Sequence, residues 1–165
     1  MDSTYIMAYV SSVQNVFETM LRLPVQVGAP SVKPTPRPSH DVSGIISMSG
    51  DVEGTVVLSF PTAAAERVVS LFTGAELSHT HEDFADAIGE LVNMVSGGAK
   101  AKFPGKTVSI GCPSIVIGGD HVIFNRKDFT SILIPCTCDC GEFAVEVSIK
   151  QAAGATGAAP VRAAG

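Results

Sequence analysis

The chain has 165 residues, 45% of them apolar and 16% charged, which is enough for one packed core and too apolar for a disordered polypeptide. A net charge of −5 with no cluster of Lys or Arg excludes a reader of phosphate backbones, and no Trp with only two Tyr leaves few platforms for stacking bases. No run approaches the roughly 18 continuous apolar residues of a membrane span.

The N-terminus, MDSTYIMAYV, carries an acid where a secretory leader carries bases. A cytoplasmic protein is expected, with its four cysteines as thiols and neither nucleic acid nor membrane as a partner. Ile6, Val10, Val13, Phe17 and Met20 recur at helical spacing and predict an amphipathic helix over about residues 3–22, stopped by Pro24. A short strand follows in VQVG. Pro30, Pro34, Pro36 and Pro38 then make residues 29–40 an extended connector that admits neither helix nor central strand. A plain spacer and a proline-rich recognition segment are both open readings of it.

VSGIISMSGDVEGTVVLSF reads as a β-hairpin around GDVEG, and TAAAERVVSLFTG as a helix closed by Gly74. AELSHTHED is a loop that leads, with Asp83 as candidate cap, into a long helix from Phe84 to Phe103. Four candidate strands follow, in KTVSIGCPSIVIG, HVIF, TSILIPCTC and EFAVEVSIK. The last places Phe143, Val145, Val147 and Ile149 on one face. The order predicts an α+β domain over residues 1–150, a largely antiparallel sheet with helices packed on one face. The Ala/Gly-rich residues 151–165 read as a flexible tail.

The long helix carries the chemistry. With Phe84 at 0° and 100° per residue, Ala87, Ile88, Leu91, Val92 and Val95 form an apolar stripe centred at about 10°. Asp86, Glu90, Asn93 and Gly97 fall at about 180–240°, opposite the core. Glycine costs a helix interior roughly 1 kcal/mol relative to alanine. Gly97 and Gly98 therefore want a reason, either the close approach of another surface or a kinked or fraying helix end.

The pattern D-x-x-x-E-x-x-N in DAIGELVNMVSGGAKAKF, followed by CPSIVIG, resembles the CheC/CheX family of response-regulator phosphatases. A single copy of the motif makes it most similar to the CheX type. The proline that follows the motif in that family is identified with Pro113, 20 positions after Asn93 on a shortened loop. The resemblance implies hydrolysis of the aspartyl phosphate of a CheY-like receiver domain, ending a chemotaxis or related two-component signal. It implies that Glu90 contacts a lysine of the receiver and that Asn93 positions the attacking water. Asp86 and Gly97 are the adjoining candidates for partner binding. It further implies a homodimer and no cofactor on this chain, with a divalent metal such as magnesium on the partner receiver.

The residue types suit that task. An acyl phosphate is already activated, and its transfer asks for positioning more than for acid–base work. An amide accepts from water and donates to a phosphoryl oxygen without adding repulsive charge. The competing reading is a non-catalytic adaptor of the same fold, which needs the surface but not the amide. Cys136, Cys138 and Cys140 in CTCDC are open to three readings, as packed thiols, a redox group or part of a metal site, although C-x-C-x-C is not a usual zinc spacing. His79 and His81 read as surface residues before a helix start, with a metal site as the alternative.

Overall fold

The computed structural model describes residues 1–154 of the chain. Three helices, α1 (Ser3–Val16), α2 (Thr62–Thr73) and α3 (Glu82–Lys100), accompany eight strands: β1 (Gln26–Val27), β2 (Ser31–Val32), β3 (Val42–Gly50), β4 (Val52–Phe60), β5 (Val108–Ile110), β6 (Ser114–Ile117), β7 (Ile132–Cys138) and β8 (Gly141–Gln151). All pairings are antiparallel, in the order β1-β7-β8-β4-β3-β5, with β2 also on β7 and β6 also on β3. The expected α+β architecture is the one observed. Among the described residues no helix is long and apolar enough to cross a membrane.

Register sorts the side chains. Gly44, Leu58 and Val145 lie in one row across β3, β4 and β8, and Ile46, Val56 and Val147 in the next. This face meets the helices: a Cβ on Gly44 would fall 3.2 Å from Ile88 Cγ2 and 3.3 Å from Val92 Cγ1. The missing side chain lets α3 settle onto β3, joining its apolar stripe to the buried core. α1 continues as a π-helical turn, Phe17–Leu21, and ends at Arg22 with φ 52°, two residues ahead of Pro24. That turn buries Phe17, whose ring stacks on Phe143 with centroids 4.7 Å apart.

The opposite face of the sheet is also covered, which a reading of one-sided alternation in β8 does not anticipate. Ala144, Glu146 and Ser148 are buried along with the apolar row. Glu146 holds the Lys33 ammonium and accepts from the Ser39 amide (3.2 Å) and hydroxyl (2.9 Å). Ser148 meets Ser131 at 2.7 Å and accepts from Asn125 at 3.0 Å. The proline-rich connector is therefore a strap across the sheet, and its Ser31–Val32 forms an edge strand, the position its prolines allow.

HVIF is not a strand, contrary to expectation. Its polar groups are used elsewhere: the Ile123 amide donates to the Pro36 carbonyl (3.1 Å) and the His121 ring meets the Ser43 hydroxyl (3.0 Å). Phe124 is left 82% exposed. β8 runs through Gln151, one residue into the segment read as a tail, and residues 155–165 lie outside the described residues.

Candidate functional site

α3 starts two residues earlier than its apolar stripe requires. His81, not Asp83, is the cap: its Nδ1 accepts from the Asp83 amide at 3.1 Å. Asp83 sits in the first turn beside Glu82, where carboxylates favour the positive end of the helix dipole. With its start capped and its inner face seated on β3, the helix presents its remaining face as a rigid row.

On that face Asp86 and Glu90 are exposed and Asn93 is half-buried. Their side chains make no hydrogen bond or ion pair with any described residue. Like charges at i, i+4 repel by a few tenths of a kcal/mol. Asp86 and Glu90 accept that cost with no cation among the described residues to offset it. A surface built this way is suited to a positive group brought by a partner.

The row forms one wall of a cleft of about 470 Å³. Gly111, Cys112, Pro113 and Ile115, from the β5–β6 loop and the start of β6, form the other. Pro113 thus stands directly across from the motif helix despite the shortened loop. Cys112 is exposed in that wall. Sequence reading gives Cys112 a place only as a candidate fourth ligand beside Cys136, Cys138 and Cys140, and gives no role to Gly89, which lines the cleft between Asp86 and Glu90. A third glycine inside the helix was the available signal for the latter.

The two glycines that were noticed part ways. Gly97 has nothing within 4 Å of where its Cβ would be, so it is open on the same face as Asn93. Gly98 faces α1, where a Cβ would fall 2.5 Å from Ser12 Oγ. Its reason is helix packing within the molecule.

The other clusters stand apart from this cleft. Cys136 faces the helix-side core and Cys140 is buried in the β7–β8 turn. Burial, reinforced by neighbouring Cys138, pushes the Cys136 thiol up to about 12 and raises that of Cys140. Such thiols stay protonated and unreactive at neutral pH. The His79 ring bonds Glu66 at 2.8 Å, and this bond holds the Glu66 carboxyl below its ordinary range. Among the described residues no group of three or more His, Cys, Asp or Glu is placed to hold a metal ion.

The family model described as chemotaxis phosphatase CheX matches residues 42–137, a span that includes the whole motif helix and Pro113. This chain belongs to the CheX family. The CheY-P phosphatase CheX of Thermotoga maritima is 32% identical over 156 residues, which cover 92% of this chain and 99% of that relative. Two solved structures share the fold throughout. A CheC-like superfamily protein from a Shewanella species superposes with a TM-score of 0.82 at 28% identity, over 91% of this chain and 99% of that one. A chemotaxis protein CheX from Desulfovibrio desulfuricans does so with a TM-score of 0.80 at 30% identity, over 90% and 99%. The CheX fold is thus the frame on which the Asp86–Glu90–Asn93 row is displayed.

Proposed function

We propose that this CheX-family protein is a phosphatase that hydrolyses the aspartyl phosphate of a CheY-like receiver domain and so ends a chemotaxis signal. Relationship over nearly the full length to a CheY-P phosphatase supports the activity. The observation that carries it at this site is the pairing of Glu90 with Asn93 on one face of α3, both free of partners among the described residues. Asn93 has both an acceptor for the attacking water and a donor for a phosphoryl oxygen. Glu90 supplies the charge that pairs with a receiver ammonium, and Asp86 and Gly97 extend the contact along the helix. An adaptor would need that surface without the amide.

The chain contributes position and no cofactor. The divalent metal and the acyl phosphate come with the receiver. Cytoplasmic residence follows from that substrate, and we assign a homodimeric state on family resemblance together with the short outer strands at both sheet edges. The deciding experiment follows phosphate loss from one phosphorylated receiver domain with and without this protein. Catalytic acceleration at substoichiometric protein is expected. An unchanged rate alongside measurable binding would establish the adaptor instead.

A further inference from the structure

Gly89 is buried in the middle of α3, where glycine is the weakest helix former after proline. A Cβ there would fall 3.2 Å from Pro113 Cγ and 3.6 Å from Ile115 Cδ1. The first contact is tighter than side chains ordinarily accept, so the loop stands where it does because residue 89 has no side chain. The loop is also held from behind. Gly111 donates its amide to the Ser47 carbonyl at 2.9 Å, and Ser114 opens β6 in register with Ile45 of β3. Pro113 lies between these two anchored points, so it has room to give by tenths of an ångström and no more.

Asp86 and Glu90 flank Gly89 on the same cleft. We propose that Gly89 is a positioning residue that sets the distance between α3 and the Pro113 wall, and through it the affinity for the phosphorylated receiver. This rests on the phosphatase reading above. A methyl group at residue 89 pushes the wall outward by a few tenths of an ångström. Asn93 stays on its helix, so the chemical step is spared while the docking rim moves. Pro113→Ala removes the crowded Cγ and leaves Cβ at 3.7 Å, an ordinary contact. The effect of Gly89→Ala therefore depends on which residue stands at 113.

Steady-state kinetics of the wild type, Gly89→Ala, Pro113→Ala and the double variant test this, together with thermal midpoints. The alkylation rate of Cys112 by iodoacetamide, followed on its own peptide, reports the wall without any substrate. Gly89→Ala is expected to raise KM roughly threefold to tenfold with kcat within about twofold, and with an unchanged or higher midpoint. In the Pro113→Ala background the same change should raise KM by less than about twofold. The Cys112 rate should shift with Gly89→Ala only when Pro113 is present. An unchanged KM, an equal effect in both backgrounds, or a joint fall of kcat and midpoint overturns the proposal. Should the wild type hydrolyse nothing, the phosphatase reading fails and the Cys112 rate decides alone: the same rate in wild type and Gly89→Ala would refute the positioning role.

Discussion

Ser12 and Gly98 hold α1 against α3. The Ser12 hydroxyl donates to the Val95 carbonyl at 2.6 Å, and it reaches that oxygen across the space a side chain at 98 would fill. Gly98→Ala would drive Ser12 off this bond and leave a buried hydroxyl unpaired, at about 1–3 kcal/mol. Better helix propensity returns about 1 kcal/mol. A net loss is expected in urea unfolding. Gly97→Ala meets no atom and should gain up to about 1 kcal/mol. If Gly97 lies under the partner, that stabler variant should still bind the receiver more weakly. Equal behaviour of the two variants would contradict both assignments.

Asn93→Ala removes the amide assigned to the attacking water and leaves Glu90 in place. Loss of one preorganised hydrogen-bond group predicts a rate lower by about 10²–10³-fold, with little change in receiver affinity. Glu90→Ala should weaken binding as well, by about 1–3 kcal/mol where the ion pair is desolvated. Neither side chain bonds to any described residue, so thermal midpoints should hold. Full hydrolysis by Asn93→Ala would remove it from the mechanism.

The strap offers a purely structural test. The Lys33 and Glu146 side chains are only 8% and 5% exposed. Lys33→Ala leaves a buried carboxylate with Ser39 alone, and a loss of about 3–5 kcal/mol is expected. Lys33→Met with Glu146→Met should recover most of it. The strap covers the sheet face opposite α3, so the double variant should keep its phosphatase rate. Selective loss of that rate would mean the strap reaches the site.

Alkaline pH should loosen the core through Cys136. Its thiol has an ordinary value of 9.0 and is pushed up to about 12 by burial in the folded state. A raised value means that this stabilisation is complete below 9.0 and is lost as pH climbs toward about 12. The slope approaches about 1.4 kcal/mol per pH unit for one group. Urea unfolding between about pH 8.5 and pH 10 should show the decline, and Cys136→Ala should flatten it. An equally steep decline in that variant would assign the effect to other groups.

A homodimer is expected by light scattering at tens of micromolar. A monomeric mass under those conditions would count against the dimer assignment.

Periodicity alone determined α3 and its two faces, because a 3.6-residue repeat of apolar side chains can bury only one stripe. It determined the β3–β4 hairpin and the Gly74 helix stop for the same local reasons, a turn rich in glycine and a residue at φ 72°. The motif residues Glu90 and Asn93 were legible as types at a spacing, and resemblance supplied their roles. Only the tertiary structure decided what faces them. Pro113 comes to Gly89 because β6 pairs with β3, a contact that spans 24 positions of sequence and leaves no trace in either local pattern. The same holds for Gly97 and Gly98. They are adjacent and chemically identical, and one is open to solvent while the other is pressed on Ser12. The second, buried face of β8 was equally invisible, because Glu146 reads as solvent-facing until Lys33 and Ser39 of the distant strap neutralise it and satisfy its oxygens.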